Sequence, residues 1–165
     1  MKDEDVIEHL NDLMQLDHDA VETYEKALEH VEDDLDVQDD LLMFKLDHER
    51  HITELSGAIL ALGGKPKAPK RDVKGLLLEG LTALRSVTGT KGALKAMRMN
   101  EKITNKTYAR AAELDLPPAA KAIVVANLED ERRHLAAIET HIERLDAEAH
   151  DKEKRAAKEH RNVPM

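Results

Sequence analysis

The chain has 165 residues and a net charge of −9, with 36 % charged, 41 % hydrophobic and 2 % aromatic residues. The acidic balance excludes a general nucleic-acid binder, since no basic face stands ready to meet phosphates. The lack of any Cys excludes a disulfide framework, a thiolate metal site and a cysteine nucleophile.

Nothing approaches the roughly 20 apolar residues of a membrane span. The opening MKDEDVIEHLNDL has no apolar run of signal-peptide type. A soluble cytoplasmic protein is expected, with neither membrane nor nucleic acid as partner. Abundant Ala, Glu, Lys, Leu and Arg suit long helices. The first helical pattern runs from about Asp5 to Val31, with Leu10, Leu13, Ala20, Leu28 and Val31 on one face at three- and four-residue spacing. DDLDVQDD breaks it. The second runs from about Val37 to Leu62, with Leu41, Phe44, Leu55, Ala58 and Leu62 on its stripe, and LGG reads as its stop. GGKPKAPKRD is a loop, followed by a shorter helix over about Val73 to Ser86. The stretch GLLLEGLTAL is apolar enough to cover one end of a bundle or make a dimer contact. Thr90 is then expected to cap a third long helix, about Lys91 to Leu114, with Leu94, Met97, Thr104 and Ala111 on its stripe. LDLPP makes a tight break, with Pro118 suited to a first helical turn. The fourth helix runs from about Ala119 past Leu145, with Val124, Leu128, Leu135, Ile138 and Leu145. Met14, Met43, Met97 and Met99 read as core filler.

The breaks set the topology. Short turns join helices one to two and three to four, while a long link over about residues 63–90 joins the pairs. An all-α four-helix bundle with one long crossover is expected over residues 1–147, with 148–165 a charged helical or frayed tail. His150 and His160 in that tail read as surface residues.

Each stripe is interrupted near its middle by ionisable residues. They are Asp17 on the first helix, His48 and His51 on the second, Glu101 on the third, and Glu131 with His134 at the stripe's edge on the fourth. An unpaired buried charge costs several kcal/mol or more, so four helices would not each carry one independently. Three carboxylates and three imidazoles at similar heights would be satisfied together by a cation. The pattern is duplicated. Asp17 and Tyr24 recur in the second half as Glu101 and Tyr108, and His48 and His51 recur, at an offset only one position shorter, as Glu131 and His134. A residue and its i+3 neighbour share a helix face, so each pair can reach one centre.

At these residues the sequence resembles the ferritin-like di-iron proteins, especially bacterioferritins and rubrerythrins. These use one Glu from each of two helices and Glu-x-x-His from each of the other two. The resemblance covers about residues 5–145. It implies that Asp17 and Glu101 are the single carboxylate ligands and that Glu131 and His134 form one motif. His51 is then the His of the second motif, and His48 stands where its bridging Glu is expected. It further implies that Asp47 orients His134 and Asp130 orients His51 across the bundle, fixing the ring tautomers. Tyr24 and Tyr108 would fill core and hydrogen-bond, either to a ligand carboxylate or in electron transfer. Two departures, Asp17 for Glu and His48 for Glu, leave open two irons, one ion, or Zn²⁺ or Mn²⁺ in place of iron. A haemerythrin-like centre is suggested by His18-x-x-x-Glu22 but opposed by the absence of His on the third helix.

The resemblance implies a ferroxidase or a peroxidase-type oxidoreductase in iron handling or oxidative-stress defence, acting on Fe²⁺ with O₂ or H₂O₂. With no Cys for a rubredoxin-like module, electrons would come from a separate donor. The alternatives are a non-enzymatic interaction or stress protein with a structural metal such as zinc, and a metal-free remnant of the fold. The tail lacks an apolar fifth helix of cage-forming type, so a monomer or homodimer is expected. Asn127 reads as a polar edge residue, His141 as structural or near-surface, Thr104 as packing, and His18, Glu22, Glu25 and Glu49 as solvated.

Overall fold

The computed structural model describes residues 1–70 and 78–161. Its helices are α1 (Asp3–Leu28), α2 (Leu35–Ala61), α3 (Leu78–Leu84), α4 (Gly89–Ala112) and α5 (Pro118–Arg161). The four long ones are the four expected from the apolar stripes. α1 pairs with α2 and α4 with α5 as hairpins, while α1 also meets α4 and α2 meets α5, closing a bundle. Asp34 caps α2, its carboxylate accepting from Val37 N at 3.2 Å, which satisfies one of the free amides of the first turn. α2 ends with Gly63 at φ +75° and with Gly64 N donating to Ile59 O at 2.9 Å. This left-handed exit is one that glycine adopts without cost.

The crossover then returns along the outside of α1. Lys67 N donates to Asn11 Oδ1 and Lys70 N to Gln15 Oε1, each at 2.8 Å. α3 packs along the flank of α4 and α1, burying Leu81 and Leu84, rather than across an end of the bundle. The beginning of the expected short helix, 73–77, lies outside the described residues. Thr90 is not the cap of α4. Thr88 holds that position in an extended conformation, and the Thr90 hydroxyl instead accepts from Glu32 N at 3.1 Å and donates to Glu32 O at 3.2 Å. That contact ties the start of α4 to the α1–α2 turn. α1 ends at Leu28, short of Val31, which is nonetheless buried.

The core falls into two apolar clusters. One gathers Leu10, Leu13, Leu55, Ile59, Tyr108, Val124 and Leu128; the other gathers Val37, Leu41, Phe44, Leu94, Met97, Ile138 and Ile142. Each such buried aliphatic side chain is worth about 1.5–3 kcal/mol relative to exposure. The expected core role fits Met14 and Met97 but not Met43 and Met99, which are 56 % and 43 % exposed. α5 continues without a break to Arg161, and every residue from Asp146 to Arg161 is exposed. No helix among the described residues is long and apolar enough to cross a membrane.

Candidate metal centre

Between the two apolar clusters lies a polar layer. Asp17 on α1, His48 and His51 on α2, Glu101 on α4, and Glu131 and His134 on α5 are all buried there. The structure brings all six together. One potential ligand atom from each of Asp17, His48, His51 and Glu131 lies within 4.8 Å of the others, and the same holds for His48, Glu101, Glu131 and His134. The two groups share His48 and Glu131. The layer is therefore two overlapping four-residue clusters with the shared pair between them.

The inner edges are short. His48 Nδ1 lies 2.8 Å from Asp17 Oδ1 and 3.5 Å from Glu131 Oε1. His51 Nδ1 lies 3.4 Å from Asp17 Oδ1 and 3.5 Å from Glu131 Oε1. His134 Nδ1 lies 3.8 Å from Glu101 Oε2. The outer nitrogens turn away from the centre. His134 Nε2 lies 2.9 Å from Asp47 Oδ2, and His51 Nε2 lies 3.1 Å from Asp130 Oδ2. An ionised Asp only accepts, so each outer nitrogen carries the proton and, in the neutral ring, Nδ1 faces inward with a lone pair.

The carboxylates are held as well. The Tyr24 hydroxyl donates to Glu101 Oε1, and the Tyr108 hydroxyl donates to Asp17 Oδ2 at 2.5 Å. The Thr104 hydroxyl, expected only to pack, faces Glu101 Oε2 at 3.4 Å. Asn105 joins α4 to α5, donating to the backbone carbonyls of Glu101 and Glu131 at 2.8 Å each.

Electrostatics mark the centre as unbalanced without a cation. Burial raises the Glu131 carboxyl above its usual range, the neighbouring carboxylates Glu101 and Asp17 add to this, and His48 only partly offsets it. Burial would also raise Asp17 and Glu101, but contacts with His48, and for Asp17 also His51, bring both below their ordinary values. Burial would lower His51, yet Asp17 and Glu131 push it up to about 9. His48 is likewise raised against its burial, by Glu131, Asp17 and Glu101. Burial and nearby carboxylates keep both tyrosines as neutral donors.

Six buried side-chain polar atoms lack a hydrogen-bond partner among the described residues. Four belong to this layer: His48 Nε2, both Glu131 oxygens and His134 Nδ1. The other two are the amide atoms of Asn100. Each unpaired buried group costs about 1–3 kcal/mol, and a cation in the layer would satisfy all four. The donor set, mixed carboxylate oxygen and imidazole nitrogen, suits divalent transition metals.

Several neighbours escape the sequence patterns. Arg50 meets Asp130 at 2.5 Å and Asp47 at 3.3 Å; Arg133 meets Asp47 at 2.6 Å and Asp130 at 2.9 Å. These arginines bridge both outer aspartates at the α2–α5 surface. Arg50 lies two positions after His48 and Arg133 two positions after Glu131, so the pair obeys the ligand repeat, which is the signal that could have found them. Asn127, read as an edge residue, is fully buried, beside Tyr108 of α4. His141 is near-surface and pairs with Asp40 at 2.7 Å. His18 stands apart from both four-residue clusters.

Residues 5–114 match the family described as a Domain of unknown function (DUF2383). No curated protein matches. Among solved structures, the chain is similar to the dodecameric thioferritin, a bacterioferritin-related protein, of Bacteroides fragilis. The two share 18 % identity at a TM-score of 0.72, over 93 % of this chain and 92 % of that one. It is also similar to a ferritin-like, diiron-carboxylate protein of Bacillus anthracis strain Ames, at 21 % identity and a TM-score of 0.56, over 89 % and 98 % of the two chains. The fold is ferritin-like.

Proposed function

We propose, from the premise that the chain belongs to the DUF2383 family and folds as a ferritin-like bundle, that it binds two divalent metal ions, iron in the first instance, in the polar layer. The observation that carries the reading is the pair of four-residue clusters sharing His48 and Glu131. Asp17 and His51 would hold one ion and Glu101 and His134 the other, with Glu131 in reach of both. His48, whose neutral ring has a single lone pair, would serve only one of them, its Nδ1 lying 2.8 Å from Asp17 Oδ1 and its unpartnered Nε2 turned to the Glu101 side. Asp47 and Asp130 keep the outer nitrogens of His134 and His51 protonated and their inner ones available. Tyr24 and Tyr108 fix the Glu101 and Asp17 carboxylates by donating to one oxygen of each, leaving the other oxygen for metal. The apolar clusters above and below exclude water.

Iron in such a site supplies one-electron chemistry with O₂ or H₂O₂, which serves iron oxidation or peroxide removal, with a separate electron donor where turnover needs one. A diiron-carboxylate description attaches to the Bacillus anthracis structure and supports the choice of iron. A second reading, a structural Zn²⁺ centre in a helical interaction protein, is favoured by His48. An imidazole in the shared position leaves fewer negative charges than a fourth carboxylate would, and mixed N/O ligation suits zinc.

Metal analysis of protein purified without chelators comes first. Anaerobic protein given Fe²⁺ and then air should consume Fe²⁺ faster than buffer and develop near-ultraviolet ferric absorbance. Glu131→Ala and His51→Ala should lower bound metal per chain. Tight Zn²⁺ binding with neither Fe²⁺ consumption nor absorbance would overturn the redox reading. Absence of anomalous density in the layer of metal-soaked crystals would overturn metal binding.

A further inference from the structure

We propose that the two halves of the polar layer exchange metal with solvent at different rates: each half meets the surface through one outer aspartate, Asp130 at His51 and Asp47 at His134, but Asn127 and Glu54 give the Asp17–His51 half a second polar approach where Phe44 walls off the Glu101–His134 half. The proposal rests on the two-ion reading above.

The repeat that relates the halves fails at two flanking positions. The offset that sets His48 against Glu131 also sets Phe44 against Asn127 and Glu54 against Ala137. On the Glu101 side, Phe44 stacks on His134 with ring centroids 4.3 Å apart and an interplanar angle of 29°. Phe44 is itself 5 % exposed and offers no polar atom. It closes that flank of the imidazole with an apolar wall.

The Asp17 side is built differently. The Tyr108 hydroxyl, which holds Asp17 Oδ2, has the side-chain amide of Asn127 3.5 Å from it. The far end of that amide faces a carboxylate. With its NH₂ turned outward, Asn127 donates to Glu54 Oε2 at 3.1 Å and to Ile123 O at 3.3 Å; turned the other way, its oxygen would oppose that carboxylate. The outward orientation leaves the amide oxygen facing Tyr108. Asp17, Tyr108, Asn127 and Glu54 thus form a continuous polar row from the buried layer to a side chain that is 35 % exposed.

Glu54 is held at the mouth of that row by Arg50, whose Nη1 meets its two oxygens at 3.1 and 3.2 Å. Arg50 also meets Asp130, the carboxylate on His51 Nε2, so the two outer carboxylates of this half, Glu54 and Asp130, are held side by side at one opening. A cation crossing an apolar wall sheds its water with nothing in exchange, at a cost of several kcal/mol. Along the row, oxygen atoms replace that water step by step, as hard divalent ions require. The ion beside Asp17 and His51 is therefore the exchangeable one, and the ion beside Glu101 and His134 the retained one.

The test uses the full chain loaded with Co²⁺ alone and challenged with excess EDTA, with release followed by the cobalt d–d absorbance. Wild type should release cobalt in a fast and a slow phase. Glu54→Ala, a surface change that spares the core, and Asn127→Leu should each slow the fast phase about tenfold, the scale of one lost hydrogen bond to a charge. Phe44→Asn, which installs the missing polar group on the other side, should speed the slow phase. Crystals of wild type after a short EDTA exposure should keep their anomalous peak beside Glu101 and His134. Wild type that binds no Co²⁺ overturns the metal reading itself. Two bound ions released in one phase, or a fast phase moved less than about twofold by both Glu54→Ala and Asn127→Leu, overturn this inference and leave metal binding standing.

Discussion

At the scale of single residues, His51 couples folding, pH and metal. In the metal-free chain, burial disfavours its imidazolium, but Asp17 and Glu131 overcome that and raise it from 6.5 to about 9. The ring is then charged at neutral pH, while coordination through Nδ1 needs it neutral. Because the folded value lies above the ordinary one, its contribution to metal-free stability is complete below pH 6.5 and is lost as pH rises through about 9. Metal affinity moves the opposite way over the same window. Calorimetric titration with Zn²⁺ should show proton release at pH 7, read as a heat that varies with the ionisation enthalpy of the buffer. Apparent affinity should rise from pH 6.5 towards 9, while the melting temperature of the metal-free protein falls. A buffer-independent heat at pH 7 would contradict this. The ring itself was legible in the sequence, because a polar residue on an apolar stripe stands out one helix at a time. Glu54 and the burial of Asn127 were not, since what gives each its meaning is a partner across the α2–α5 seam, and Arg50 and Arg133 show in the sequence only as members of the repeat, their aspartate partners lying across that seam.

At the scale of the element, the start of α2 concentrates local and tertiary stabilisation in Asp34. Its Oδ1 caps the helix at Val37 N, and its Oδ2 accepts from Arg144 of α5 at 2.7 Å. Burial would raise its carboxyl, but the Arg144 contact and the cap bond hold it below the usual range. Asp34→Ala should therefore cost about 1–2 kcal/mol in urea unfolding, most of it the cap and the smaller part a half-exposed ion pair. His48 and His51 lie several helical turns further along α2, so bound metal per chain should not change. Loss of metal together with stability would mean that the end of the helix and the layer are coupled. The four long helices were readable because their stripes persist over many turns. Their ends were less so: α4 begins at Gly89 rather than at a Thr90 cap because that hydroxyl is engaged with Glu32, a contact between the first turn of α4 and the α1–α2 connection far away in sequence. Met43 and Met99 were misplaced for a related reason, since an apolar residue at the border of a stripe is assigned inside or outside only by the neighbouring helix.

At the scale of the whole molecule, helix lengths divide the protein into a supported body and an unsupported arm. α1, α2 and α4 have 26, 27 and 24 residues, while α5 has 44. At 1.5 Å per residue, α5 is roughly 66 Å long against roughly 36–40 Å for the others. Its last buried residue is Ile142, with Leu145 packed beside it. Just beyond, Asp146 pairs with Lys91 of α4 at the surface. A free helix as short as the remaining arm would be marginal in water, but this one extends a helix already nucleated in the bundle, so each added residue needs only propagation. Its charges fall at supportive i,i+4 spacing, as in Glu148–Lys152 and Asp151–Arg155. We therefore expect residues 1–147 to fold and bind metal without 148–165. Surface contacts of the kind removed are worth about 0.5 kcal/mol or less, so the melting temperature should move by no more than about 2 °C. The far-ultraviolet helical signal should fall by about a tenth, the share of the helical residues that lies beyond residue 147. A larger loss of stability on truncation, with the helical signal falling by more than that share, would show that the arm docks on the body or on a second chain, and that the boundary at residue 147 divides one cooperative unit.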